Sequence, residues 1–326
     1  MPSFLAYDGT ELAFDTSGDG PPLVCLPGGP MQDSDYLGNL GGLSAHRRLI
    51  MADPRGTGGS AVPADPGSYR CDRQVDDVEA LREHLGLDRM DLLAHSAGTN
   101  LAVLYAQRHP ERVGRLALIT PSVYAVGVEV TGEVRRETAL LRKGEPWFPE
   151  AFAALEAIVA GNGDAAAFAA IAPFWYGRWD AAARAHRDAE DTHRNQEAAA
   201  RFSDGAFDPD ATRVALARLA SPVLVLAGEL DLNSPAPAMA EVAALFPHAE
   251  LVVQPGAGTS PGSTIRRGSR RRRRRSWAGP PADGPGEPRR SGRAPSIRAS
   301  PVDPGEPRRS GRAPSVRLPP DSPNGP

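Results

Sequence analysis

Ser96 stands in the run Ala94-His95-Ser96-Ala97-Gly98, between a short apolar stretch and a segment rich in small residues. A serine on a sharp turn from strand to helix exposes its hydroxyl and has helix amides aimed at any negative charge developing beside it. Small residues two positions before and after suit such a turn, because it brings backbone segments together; here Ala94 fills the position that is usually glycine. A serine at a helix start can also be a plain cap, yet the flanking strand and helix favour a nucleophile. Asp231 follows a second apolar run, residues 223–227, through Gly228-Glu229-Leu230. A carboxylate there can orient an imidazole and stabilise the imidazolium formed during acyl transfer. Glu229 competes for that role but lies nearer the strand end, so Asp231 is preferred. Pro27-Gly28-Gly29-Pro30 offers backbone N–H groups with no side chain in the way. The amide of Gly29, with that of Ala97 just after the serine, would form an oxyanion hole.

These residues need a parallel sheet to place them. Residues 23–26, 48–52, 91–94 and 115–119 read as strands, interleaved with helical spacing at 75–85 and 98–108. Nearly continuous apolar strands alternating with helices indicate a parallel sheet covered on both faces. After Pro121 the pattern changes to an alanine-rich helical block, broken at Gly144-Glu145-Pro146 and Gly161-Asn162-Gly163. A strand at 222–227, a helix at 239–246 and a strand at 250–254 then resume the sheet. The expected organisation is a core at 1–122, a helical cap at 123–212, a second core part at 213–257 and a tail at 258–326. Such a cap would lie over the carboxyl ends of the strands, where open α/β sheets bind ligands.

The pattern resembles the proline iminopeptidase-like branch of the α/β-hydrolase superfamily over residues 1–258. Members carry a Gly-Gly-Pro turn after the first core strand, here Gly28-Gly29-Pro30, usually preceded by histidine where this chain has Pro27. Their Asp-x-Arg-Gly-x-Gly loop is matched by Asp53, Arg55, Gly56 and Gly58, followed by Gly59-Ser60. The serine elbow matches Ser96 and the acid matches Asp231, with a helical cap between them. The resemblance implies an α/β-hydrolase fold, a mostly parallel central sheet with an inserted cap, and hydrolysis of an ester or amide through an acyl-enzyme. It also implies short peptides with an amino-terminal proline as substrates; a general carboxylic-ester or small-molecule hydrolase is the alternative. Asp180 and Glu229 are the candidate acids for a substrate ammonium, which needs a charge partner once desolvated, though both could be ordinary surface acids. Trp175 and Trp179, with Phe174 and Tyr176, are candidates for an apolar pocket wall.

The family's base follows the last core strand in a Gly-His-Phe-Pro-type segment, whereas this chain reads Gly256-Ala257-Gly258-Thr259-Ser260-Pro261. A threonine hydroxyl has no proton-accepting state poised near neutrality, as imidazole has. None of the 7 histidines is a clear substitute. His95 should point away from Ser96, His248 belongs at the wrong end of the sheet, His46, His84 and His109 lie on outer helices, and His186 and His193 lie in the cap. The genetic code suggests why. Residues 258–266 can be encoded GGC ACT TCC CCT GGC TCG ACG ATC CGC. Read from the third base, that string becomes His-Phe-Pro-Trp-Leu-Asp-Asp-Pro, the segment the family carries. A one-nucleotide change of frame near codons 257–258 is therefore expected, and with it loss of the base and of a terminal helix.

Composition changes at the same point. Residues 258–326 hold 16 Arg and 5 Asp/Glu, including six consecutive arginines at 270–275, and 14 prolines. Their charge is about +11, against about −14 for residues 1–257. Within them, 285–298 recurs as 304–317 at a period of 19. Without apolar periodicity such a tail cannot offset the entropy of ordering, and disorder is expected. A basic run could bind phosphate backbones non-specifically, which leaves a non-catalytic binding protein as a further alternative. No folded nucleic-acid module accompanies the run, so no specific nucleic acid is expected. The 2 cysteines indicate no disulfide framework. No apolar run reaches membrane-spanning length, so a soluble cytoplasmic protein is expected. No histidine pair or acid cluster has metal-ligand spacing, and Gly56 and Gly58 lack the full dinucleotide fingerprint, so neither metal nor cofactor is expected.

Overall fold

A computed structural model describes residues 1–260. Two short strands, β1 (Ser3–Leu5) and β2 (Glu11–Ser17), precede β3 (Pro22–Leu26) and β4 (Arg48–Ala52). Then come α1 (Val75–His84), β5 (Met90–His95), α2 (Gly98–Arg108) and β6 (Val113–Ile119). The helical block comprises α3 (Gly132–Leu140), α4 (Phe148–Val159), α5 (Ala165–Ala170), α6 (Ala181–Glu190), α7 (Gln196–Arg201) and α8 (Pro209–Leu216). The chain returns to the sheet with β7 (Val223–Gly228), α9 (Ala236–Ala244) and β8 (Ala249–Gln254).

The strands form one sheet in the order β1-β2-β4-β3-β5-β6-β7-β8. All neighbours from β4 through β8 are parallel, while β1 and β2 join antiparallel at one edge. Leu23, Val24 and Cys25 are all fully buried, as are Leu92, Ala94, Leu116, Leu118, Val225 and Ala227. Burial on both faces explains why these strands read as unbroken apolar runs. β1 and β2 escape that pattern. The sequence Glu11-Leu12-Ala13-Phe14-Asp15-Thr16-Ser17 buries only Leu12, Ala13 and Phe14, and the strand lies between the short edge strand β1 and β4, pairing Phe14 with Ala52.

The helical block carries its own apolar cluster. Ala139, Ala151, Leu155, Ile158, Ile171 and Phe174 pack with Leu232, which sits immediately after Asp231. One buried leucine thus joins the acid's loop to the inserted helices. α8 packs back on the core, where Thr212 donates to the Gln107 side chain at 2.8 Å. The tail expected to be disordered from residue 258 is ordered at its first three residues, where Thr259 is buried and hydrogen-bonded to Asp231; the rest of it, from 261, lies outside the described residues.

Candidate active site

β5 ends at His95, and Ser96 turns the chain into α2 with φ of +48°. A side-chain-bearing residue there costs of order 1–3 kcal/mol unless its surroundings hold it. Several hydrogen bonds do so. The Ser96 amide donates to the Ile119 carbonyl at 3.0 Å. Its own carbonyl accepts from the Thr99 amide and hydroxyl and from the Ser122 amide. Close backbone approach also explains the glycines. A Cβ on Gly28 would lie 2.8 Å from the His95 carbonyl and 3.0 Å from the Ser96 Cβ. One on Gly98 would run into the Pro27 carbonyl. Gly29 has φ of +112°, a backbone that side chains rarely adopt. The Gly28-Gly29-Pro30 turn is therefore pressed against the serine elbow, with Gly29 in one segment and Ala97 in the other.

Asp231 lies beyond the end of β7 and is fully buried. Its Oδ1 accepts from the amides of Asn233 (2.8 Å) and Ser234 (3.0 Å) and from the Thr259 hydroxyl at 2.6 Å. Oδ2 has no hydrogen-bond partner among the described residues. Burial pushes the carboxyl pKa up, opposed by the Thr259 hydroxyl, by the Ser234 and Asn233 amides and by the positive charge of Arg135. An acid so enclosed is suited to a partner that donates a proton to it and takes up positive charge. The residue beside it is Thr259, itself buried. Its carbonyl is held by His95 Nε2 at 2.9 Å and by the Thr120 hydroxyl at 3.3 Å.

Five of the 7 histidines make their contacts elsewhere. His95 is buried between the Thr259 carbonyl and the Tyr36 hydroxyl, which is 2.8 Å from Nδ1. Burial lowers its pKa to about 4, against the carbonyl contact that raises it, with nearby His186 lowering it further. His186 Nδ1 meets the Tyr176 hydroxyl at 2.9 Å, and His193 Nδ1 meets Asp33 Oδ2 at 2.8 Å. His84 packs against Phe4 and Phe14, and His109 against Tyr105. None of these contacts reaches Ser96 or Asp231.

Of the candidate substrate-binding residues, Trp175 lends its carbonyl to the Ser260 amide at 3.1 Å, beside the residue that touches Asp231. Trp179 packs on Tyr176 with ring centroids 5.4 Å apart. Asp180 is exposed and caps α6 by accepting from the Ala183 amide at 3.0 Å. Glu229 is exposed and accepts from the Gly256 amide at 2.7 Å. Sequence reasoning missed Tyr36 and Thr120, and placed His193 in the cap without its meeting with Asp33 and Asp35, whose ligand atoms and its own lie within 4.8 Å of one another. Tyr36 reaches His95, Thr120 reaches Thr259 and His193 reaches Asp33 across long stretches of chain, which no local signal encodes; only Asp33 and Asp35 are neighbours in sequence. No helix among the described residues is long and apolar enough to cross a membrane.

Comparison with known proteins bears on the fold that carries these residues. A proline iminopeptidase from Lactobacillus helveticus is 40% identical over 119 residues, 35% of this chain and 40% of that protein. One from Lactobacillus delbrueckii subsp. bulgaricus is 35% identical over 157 residues, 47% of this chain and 51% of that protein. The chain thus spans about half or less of the length of these curated relatives. A thermophilic esterase from Thermogutta terrifontis superposes with a TM-score of 0.57 at 26% identity, covering 81% of this chain and 92% of the esterase. The alpha/beta hydrolase fold family matches residues 21–261, most of the 326-residue chain, and the chain belongs to that family.

Proposed function

We propose that this chain is built as a serine hydrolase acting on ester or amide bonds, with Ser96 as nucleophile and Asp231 as the triad acid, and that Thr259 occupies the seat of the base. One observation carries the proposal. A buried carboxylate at the end of one strand touches residue 259 while a strained serine turns out of the neighbouring part of the sheet, and residue 259 is a threonine.

With an imidazole at position 259 the reaction is straightforward. Ser96 Oγ attacks the acyl carbon and its proton passes to the ring, which Asp231 orients through the other nitrogen. The carbonyl oxygen becomes an oxyanion facing the amides of Gly29 and Ala97. The ring returns the proton to the departing amine or alkoxide as the C–N or C–O bond breaks. Water then attacks the acyl-enzyme by the same path, releasing the acid and restoring Ser96. A threonine hydroxyl cannot accept the serine proton near neutrality. In subtilisin, loss of the triad histidine lowers kcat about 10⁶-fold, and a loss of that order is expected here.

The likeness to proline iminopeptidases favours short peptides with a free amino-terminal proline. Trp175 and Trp179 would wall the pocket. Asp180 and Glu229 would hold the ammonium, each having used one carboxylate oxygen for a local hydrogen bond. The likeness to an esterase keeps short acyl esters as the competing substrates.

The test is the full chain carrying Thr259→His, assayed on prolyl and alanyl arylamides, amino-blocked prolyl arylamide and short acyl esters, with Ser96→Ala as control. Turnover should appear with the histidine and vanish with the alanine. A Thr259→His protein that is folded, inert on every substrate and unlabelled at Ser96 by a fluorophosphonate would overturn the hydrolase proposal. Equal turnover of all amides, with no need for a free amino terminus, would overturn the prolyl-peptide assignment alone.

A further inference from the structure

His95, immediately before the nucleophile, is buried, and its hydrogen bonds define its tautomer. The Thr259 carbonyl can only accept, so His95 Nε2 carries the proton and donates to it at 2.9 Å. In the neutral ring Nδ1 is then an acceptor, and the Tyr36 hydroxyl donates to it at 2.8 Å. The same hydroxyl oxygen accepts from the Gly28 amide at 2.6 Å. A directed chain results, from Gly28 N–H to Tyr36 to His95 to the Thr259 carbonyl. It begins in the turn that carries Gly29 and ends on the residue that touches Asp231. It passes through the residue immediately before Ser96.

The chain of bonds also explains which amide of the turn faces the reaction. The Gly28 N–H is consumed by Tyr36, and Gly29, at φ of +112°, turns the backbone on the next residue. At the other end the Thr259 carbonyl has a second donor in Thr120, which itself sits at φ of +43° past the end of β6. The backbone of position 259 is thus pinned from two strand ends, independently of the side chain it carries.

We propose that His95 and Tyr36 are a positioning pair that locks residue 259 and the oxyanion turn to the serine elbow, so that nucleophile, base seat and oxyanion amides hold one geometry. The proposal rests on the serine-hydrolase reading for its consequence but not for its contacts. Neither residue touches the reacting atoms. Their effect is exerted through the backbones of Gly28 and Thr259. Misplacement of a catalytic group by about 1 Å is enough to cost on the order of 100-fold in rate, so loosening the pair should act on kcat more than on KM.

The experiment uses the full chain in two backgrounds. In Thr259→His, adding Tyr36→Phe or His95→Asn should lower kcat by about 10- to 100-fold with KM nearly unchanged. Adding His95→Gln, whose amide can still donate towards residue 259 from near the Nε2 position, should recover part of that loss. A merely structural role would lower the melting temperature of all three alike and show no recovery by glutamine. That pattern, or a rise in KM with kcat intact, overturns the proposal. In the unmodified chain, ¹⁵N NMR of His95 at neutral pH should show the Nε2–H tautomer. Tyr36→Phe should shift the amide resonances of both Gly28 and Ser260, at opposite ends of the chain of bonds. An Nδ1–H tautomer, or a shift confined to Gly28, overturns the pair even if Thr259→His proves inert, in which case the hydrolase reading fails separately.

Discussion

His95 shows how much a single enclosed side chain can depend on its charge state. Its pKa of about 4 in the folded protein lies below the ordinary value of 6.5, chiefly because burial penalises the imidazolium. The unfolded chain therefore binds more protons than the folded one between those two values. Stability from this residue is complete above pH 6.5 and is lost as pH falls towards 4. At pH 5 the loss should be about 2 kcal/mol relative to pH 7.5. Asp77 acts in the opposite direction, since burial lifts its pKa to about 6, against its bonds to Arg55, and its protonation favours the folded state as pH falls. The two effects are separated by comparing urea midpoints of the wild type and His95→Gln at pH 7.5 and pH 5, because Asp77 is common to both. The wild type should lose about 2 kcal/mol more than the variant on acidification. Parallel pH dependence in the two proteins would show that His95 is not held neutral by its surroundings.

At the scale of elements, the site depends on how closely α2 approaches the turn after β3. Gly98 opens the helix where its Cβ would meet the Pro27 carbonyl, with the Leu26 carbonyl 2.9 Å away. Neither contact is a flexible side chain, so a methyl group must push two backbone segments apart. Gly98→Ala should cost about 2–4 kcal/mol in urea unfolding, a large effect for a change that improves helix propensity. In the Thr259→His background it should also reduce turnover, because the displaced segment carries Gly29. A neutral or stabilising outcome would mean that the turn and the helix are not in contact as described. The same closeness explains what could be read in advance. β3 to β7 were legible because strands buried on both faces leave unbroken apolar runs, β8 from its short Leu251-Val252-Val253 run although it is only half-buried, and Ala94, Gly98, Gly28 and Gly29 mark where backbones meet. β1 and β2 were not, since only Phe4 on β1 and Leu12, Ala13 and Phe14 on β2 are buried while Glu11, Asp15 and Thr16 are exposed, which leaves no long apolar run. The loop ends of the site could be placed on their strands, but the bonds between them could not. Tyr36, His95 and Thr259 meet across separations of 59 and 164 residues, and no local spacing encodes such a contact.

At the scale of the whole molecule, the question is what should follow residue 258. The structure carries the chain past β8 and sets residue 259 against Asp231, with its carbonyl bound by two donors, as if for a side chain that could use the acid's Oδ2, which has no hydrogen-bond partner among the described residues. The alternate reading of the codons places histidine there and continues with Phe-Pro-Trp-Leu-Asp-Asp-Pro. β8 is the last strand of the sheet, and Val253 on it is 41% exposed. The inner parallel strands are covered on both faces, whereas β8 is only half-buried, so a further helix at this edge would bury apolar surface that the described residues leave open. If the frame was lost, the native continuation should provide one, burying apolar area at about 25 cal/mol per Å² and adding a few kcal/mol. Sequencing codons 250–270 from source DNA should reveal a one-base difference. A protein expressed in the restored frame should then exceed the Thr259→His variant in two respects. It should melt roughly 5–10 °C higher, which is what a few kcal/mol represents at this size. It should also turn over substrate at least as fast, because the same histidine is carried by a better-supported loop. If the source DNA confirms the present frame, Thr259 is the encoded residue at the base seat. The frame change would then lie in the gene itself, leaving a truncated hydrolase core, and a restored-frame protein that melts no higher than the Thr259→His variant would show that the other frame encodes no helix able to cover β8.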